Sequence, residues 1–306
     1  GQLLVRGALK AIGTEADSIR FLASGAGWEG MRFFNRDSNW MEFVRVSGVT
    51  SPVNRASPIL VAQSGTWLSL RSSVISDNHV AADGGAAFGT WSGVLVMKNT
   101  VVRDNTAAGS VGAIGLRDGA VLIADLCSFL RNSCNGDGGA LTILAAQATV
   151  ANSVFTDNLG RRFGGAIYAG GATLNISWTL IARNTSESSN AVYMDNSNVQ
   201  VTNSTVTGNI SSVSECAFTV GFYTALVISN SIVWGNSGPY SFAIRYSRTG
   251  GGGVVNATYC ALSSAWYGTG NIVADPLFVN ADAGDYSLRA GSPCIGTGSP
   301  LNPLDP

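Results

Sequence analysis

One position recurs along this chain as Asp77, Asp104, Arg131, Asp157, Arg183, Gly208 and Gly235. Carboxylates set at a fixed interval could hold a divalent cation or act as an acid–base pair. Asp77 and Asp104 fall on neighbouring repeats, near enough to share a cation. Arg103 stands beside them, the nearest approach to an arginine base next to acidic cation ligands. The competing reading is a solvated row in which Asp104, Arg131, Asp157 and Arg183 pair in alternation, each pair worth little. The single histidine, His79, has no carboxylate pattern to orient it and reads as a turn residue. One histidine also leaves no obvious Ser-His-Asp set. Seven tryptophans, Trp28, Trp40, Trp67, Trp91, Trp178, Trp234 and Trp266, could stack on sugar rings, but they share no column. Packing at loops and edges is the simpler expectation for them. No catalytic residue, metal ligand set or cofactor is therefore expected.

What must position any such group repeats more strictly. Each residue of that row precedes an asparagine: Asn78, Asn105, Asn132, Asn158, Asn184, Asn209 and Asn236, at gaps of 27, 27, 26, 26, 25 and 27 residues. A fixed period of this size marks a repeat protein. Asparagine both donates and accepts, so identical residues on adjacent coils can form a hydrogen-bonded ladder. It also tolerates the left-handed backbone of a tight corner.

The columns beside the ladder support this. Three residues upstream stand Ile75, Val102, Phe129, Phe155, Ile181, Val206 and Val233, all apolar. Five upstream stand Ser73, Thr100, Cys127, Ser153, Thr179, Ser204 and Ser231, all small. Pairs such as Leu68/Leu70, Leu95/Met97 and Leu174/Ile176, ten and eight upstream, give the period-two alternation of strands.

A corner motif follows each asparagine, as Gly84-Gly85-Ala86-Ala87, Val111-Gly112-Ala113-Ile114, Gly138-Gly139-Ala140-Leu141 and Gly164-Gly165-Ala166-Ile167. Weaker copies are Ser189-Asn190-Ala191-Val192, Glu215-Cys216-Ala217-Phe218 and Ser241-Phe242-Ala243-Ile244. The residue after the alanine is apolar and is placed inside. The alanine column (Ala86, Ala113, Ala140, Ala166, Ala191, Ala217 and Ala243) should then face outwards or into the corner. With Phe88, Gly115, Thr142, Tyr168, Tyr193, Thr219 and Arg245 two residues on, it could be a flat docking face. Crowding at the glycine corner explains the alanines equally well.

Short strands of like direction stacking in register make an all-β, single-stranded parallel β-helix, roughly eleven coils of about 26 residues. It reads as one domain over 1–306, with irregular N-terminal coils at 1–66, regular ladder coils at 67–262, and a closing coil with a proline-rich tail at 263–306.

The Gly-Gly-Ala-Ile and Phe-x-x-Asn pattern, best seen in Gly164–Ile167, Phe155–Asn158 and Phe129–Asn132, resembles the repeats of the polymorphic outer-membrane protein family. That resemblance implies surface-exposed, adhesin-like right-handed β-helices. The segments 3–17, 274–279 and 285–294 are similar to the opening and closing coils of the wider pectate-lyase-like superfamily. This fold hosts lyases, hydrolases, adhesins and structural proteins, so the resemblance speaks for fold more than function. The Asp-Asp pair and Gly-His-Gly of polygalacturonase-type enzymes do not occur.

Composition bounds the rest. Charged residues are 12%, and net charge is −1, so neither nucleic acid nor an anionic membrane is implied as a partner. No stretch is apolar enough to span a bilayer. No signal peptide is read at the start, and the chain is taken as a mature or trimmed product. Among the five cysteines no C-x-x-C pair occurs, so zinc is not expected. Cys260 and Cys294 are expected to bond and staple the last coil. Cys127 and Cys134 could bond or stay free, and Cys216 has no obvious mate. Of five glycosylation sequons, Asn184 and Asn209 are ladder residues, while Asn175 and Asn256 fall on outward positions and would be the modified ones in a eukaryote.

No cap is expected at either end. The expected function is a non-enzymatic extracellular or cell-surface structural or adhesive protein, stacking end to end or binding surface glycans and proteins. The alternatives are a polysaccharide lyase or hydrolase, and a carbohydrate-binding β-helix without catalysis.

Overall fold

The structure is a computed structural model that describes residues 1–23, 28–51, 57–62, 64–81, 85–189, 191–213, 216–238, 242–247 and 252–300. Gly84, Asn190, Glu215 and Ser241 of the corner motif, and residues 301–306 of the tail, lie outside the described residues.

One coil is a circuit of four short strands. In the middle of the molecule these are Leu141–Leu144, Gln147–Ala151, Val154–Thr156 and Leu159–Gly160. Stacked coils give three ten-stranded sheets and one of seven strands, named here first to fourth in that order. Coil pairs to coil in parallel and in constant register, as in Leu141 against Ile167, Leu174 against Val199 and Phe129 against Phe155. The result is an all-β parallel solenoid of about nine turns of about 27 residues, fewer than the eleven expected. Two things lower the count. Leu3 pairs with Met31, Met31 with Ile59 and Ile59 with Phe88, so the first coils span 28, 28 and 29 residues. At the other end, residues past 272 leave the circuit.

Alternation does the packing. In Thr173–Ser177 the pattern is exposed, buried, exposed, buried, and the same holds along the second sheet. The inward residues stack into apolar columns; Ile75, Val102, Phe129, Phe155, Ile181, Val206 and Val233 are all fully buried. Phe129 and Phe155 lie ring on ring, centroids 4.4 Å apart.

The corners use left-handed backbone, but not at the asparagines. The residue before each ladder asparagine carries it, from Asp77 at φ 57° to Gly235 at φ 65°. A second left-handed row, including Asn152, Trp178 and Asn203 at φ 47°, 51° and 49°, turns the chain from the second sheet to the third. The small residue that follows caps that turn. The Thr179 and Ser204 hydroxyls donate to the carbonyls two residues back, at 2.8 and 2.7 Å, and Ser204 and Ser231 accept the N–H of Thr179 and Ser204. Corner groups that no strand can pair are satisfied in this way.

The fourth corner corrects the expected docking face. All the named alanines are 0–1% exposed. A corner breaks period-two alternation, so the alanine and the apolar residue after it both turn inwards. The frame of the first copy also slips by one. Phe88 pairs with Ile114, so Ala87, not Ala86, stands in the column, and Ala86 packs apart with Ala107 and Cys134. The outward column is Gly89, Gly115, Thr142, Tyr168, Tyr193, Thr219 and Arg245. Crowding is what demands small residues here: Gly138 has φ 69°, and a Cβ on Gly139 would lie 2.3 Å from the Gly165 carbonyl oxygen.

The C-terminal end is covered by its own chain. Ala261 bridges to Ile272, the Leu262 N–H donates to Ile272, and Trp266 packs on the core. Asn271 accepts from the Cys260 N–H at 3.0 Å and donates to Ala257, finishing the hydroxyl row. The chain then folds back along the rod as a strap, an antiparallel pair Phe278–Asn280 and Asp285–Leu288 joined by a 3-10 turn at Ala281–Ala283. No helix among the described residues is long and apolar enough to cross a membrane.

Candidate functional site

The ladder is continuous. The Asn78 amide donates to Asn105 at 2.8 Å, Asn105 to Asn132 at 2.9 Å and Asn132 to Asn158 at 3.1 Å. Asn158, Asn184 and Asn209 continue to Asn184, Asn209 and Asn236 at 2.8, 2.9 and 2.8 Å. The second amide hydrogen reaches a carbonyl of the preceding coil, as from Asn158 to Phe129 at 2.9 Å. All seven asparagines are buried. Their polarity is spent inside the rod, which makes them structural rather than chemical.

The charge row outside the ladder pairs in alternation. Arg131 grips Asp104 with two bonds of 2.7 and 3.0 Å, and Arg183 grips Asp157 with two of 2.9 Å. Arg103 adds a 2.5 Å bond to Asp104. These donors, Arg131 foremost, hold the Asp104 carboxyl below the usual range. Both Asp104 oxygens are engaged by guanidinium groups. Among the described residues no group of three metal-ligating side chains gathers. His79 is exposed at the start of a two-residue strand, its N–H donating to Val49.

The cysteines depart from expectation. Cys260 and Cys294 are separate thiols, so the bridge expected between them is not formed. Cys260 is buried in the hydroxyl row, its Sγ donating to the Thr258 carbonyl at 3.2 Å, whereas Cys294 lies half-buried in the closing segment. Cys127 takes the same row five coils earlier, its Sγ donating to the Asp125 carbonyl. Burial pushes the Cys127 and Cys260 thiols up to about 11 and Cys134 to about 12. Asn175 and Asn256 are exposed on the second sheet, and Asn184 and Asn209 are buried.

Among the described residues a concavity lies where the strap crosses the ladder corner. Arg183, already clamped on Asp157, donates a further 3.1 Å bond to the Tyr286 hydroxyl. Tyr286 in turn meets Phe278 edge to face, centroids 5.4 Å apart. On one side of Tyr286 is a groove of about 810 Å³ over Trp234, Thr207, Gly208 and Gly235, rimmed by Asp282 and Arg289. On the other is a groove of about 410 Å³ beside Trp178, Leu180 and Asn203. No sequence motif announces this site, because its two walls come from distant segments. The signal available was the charge row itself, which turns to glycine at Gly208 and Gly235, where the groove needs a floor.

Comparison of the chain with protein families, with curated proteins and with solved structures finds no match.

Proposed function

We propose that the protein is a non-catalytic extracellular structural or adhesive rod that displays its sides to surface glycans or proteins. The observation that carries this reading is the unbroken amide ladder from Asn78 to Asn236, which ties coil to coil along the axis. A chain that spends its repeated polar residues on axial stiffness is suited to display. The pairing of Asp104 and Asp157 with arginines favours it over acid–base chemistry on that corner. So does the resemblance of the repeats to adhesin-like passengers. End-to-end stacking is the weaker part, because residues 261–272 already cover one end.

Electron microscopy of the purified chain, with an assay for polymer release, tests the reading. Rigid rods that leave uronide and neutral polysaccharides intact are expected. Calcium-dependent loss of a uronide polymer, or release of reducing ends, would instead favour the lyase or hydrolase reading. A binding module for carbohydrate is the second reading, favoured by the aromatic grooves along the strap.

A further inference from the structure

We infer that the two grooves flanking Tyr286 bind a neutral oligosaccharide, with Trp234 and Trp178 as stacking faces. This deepens the adhesive reading and rests on it. The grooves, about 810 and 410 Å³, fall in the size range of ligand sites, and each contains one tryptophan. An indole offers a flat apolar face to the C–H side of a pyranose ring while its rim stays polar.

The polar groups decide the class of sugar. The larger groove carries carboxylates at Asp157, Asp275 and Asp282 and guanidiniums at Arg183 and Arg289. Asp157 and Arg183 are spent on each other. What remains is one guanidinium among two carboxylates, which repels a polyuronate but suits hydroxyls, since each hydroxyl both donates and accepts.

Two features of the chain point to the same place. Trp178 sits at φ 51° in a corner row where the adjoining coils have Asn152 and Asn203, and it is 41% exposed. Left-handed backbone is tolerated by asparagine and disfavoured for a bulky side chain. Phe43, Leu126 and Tyr259 hold the same corner in other coils, and of these four bulky residues it is Trp178 that lines the smaller groove. The charged row also turns to glycine at Gly208 and Gly235, so no charged side chain of that row rises into the larger groove there, and Trp234 is left open beside it.

The test is native gel electrophoresis of the full chain through laminarin, xyloglucan, galactomannan or polygalacturonate. Retardation by at least one neutral polymer and none by polygalacturonate is expected. Trp178→Asn and Trp234→Ala should each weaken retention at least tenfold, while Trp67→Ala, an exposed tryptophan outside the grooves, leaves it unchanged. Trp178→Asn should melt no lower than the parent, which separates lost binding from lost folding. The inference is overturned if no neutral polymer retards the chain, if polygalacturonate retards it as well, or if both groove variants bind like the parent. Retention that survives both variants would spare the adhesive reading. Release of reducing ends would count against that reading alone, because the tryptophan variants decide the groove in either case.

Discussion

The Asn184 Oδ1 accepts two hydrogen bonds from Asn158, one from its side-chain amide at 2.8 Å and one from its backbone N–H at 3.0 Å. Each interior ladder residue therefore satisfies a neighbour's backbone as well as its side chain. Asn158→Ala would strand the backbone and amide donors of Asn132 and the carbonyl of Phe129 in the core. Leaving such groups unpaired costs about 1–3 kcal/mol each, so a loss of roughly 3–5 kcal/mol is expected. Among the described residues the Asn78 Oδ1 accepts a single hydrogen bond, the Val49 N–H at 3.0 Å, and Asn78→Ala should be milder. Urea midpoints of the two variants check the ordering; equal losses would deny that the ladder is cooperative.

The outer charge row should matter far less. Arg131→Ala removes a bidentate pair whose arginine side chain is 54% exposed. An exposed pair of this kind is worth at most ~1 kcal/mol and is screened by salt. The folded Asp104 carboxyl titrates below its unfolded counterpart, so its contribution is present above the unfolded value and disappears as pH falls through the folded one. Acid denaturation of the parent and of Asp104→Asn should converge at low pH.

The buried thiols set the alkaline limit. Cys127, Cys134 and Cys260 are raised from about 9 to between about 11 and 12 by burial. Above pH 9 the unfolded chain releases these protons while the folded chain keeps them. Their contribution is therefore full below about pH 9 and is lost as pH rises towards 11 and 12. Urea midpoints from pH 8 to 11 should fall, and fall less steeply in a Cys127→Ser, Cys260→Ser variant. In the native protein a thiol reagent should label Cys294 first. Unfolding without reductant should expose all five thiols, and a finding of only three would restore the bridge.

Gly139→Ala tests the glycine corner. The new methyl would sit 2.3 Å from the Gly165 oxygen and 2.6 Å from the Leu159 carbonyl carbon, both backbone atoms of the neighbouring coil. Overpacking against backbone falls at or above the top of the usual ~1–3 kcal/mol. Gly119→Ala, where a Cβ meets nothing within 4 Å but φ is 80°, should lose only the conformational part, about 1 kcal/mol. Thermal melts of the pair separate contact from backbone strain.

Tyr286→Phe removes the hydroxyl that Arg183 holds at 3.1 Å. The solenoid does not depend on that bond, but the strap does. Faster proteolytic cleavage within 273–300, with an unchanged melting point for the remainder, is the expected result.

Much of this was legible in the sequence. Ile75, Phe129 and Asn132 recur at one interval because every coil asks the same thing of the same position. Legibility failed where that rule stops. At Ala86-Ala87 two identical residues hide a one-residue slip in frame. At Ala140 the corner ends period-two alternation, so the side expected to face outwards turned in. Cys260 follows Ser231 in the row that Cys127 also joins, and that membership, not a bridge to Cys294, is what its position expresses. The Arg183–Tyr286 contact spans 103 residues and repeats nowhere, so no column could reveal it.

The ladder has a direction. From Asn78 to Asn209 each side-chain amide donates to the asparagine oxygen of the following coil, and each side-chain oxygen accepts from the preceding one. Coils joined this way are interchangeable links: removing residues 133–158 would bring Asn132 onto Asn184 with donor meeting acceptor, as before. A segment inserted in the reverse sense would set oxygen against oxygen. Such a rod can be lengthened or shortened one whole coil at a time, and only in one orientation, so its reach is a quantity that duplication or deletion can adjust without redesigning the interior.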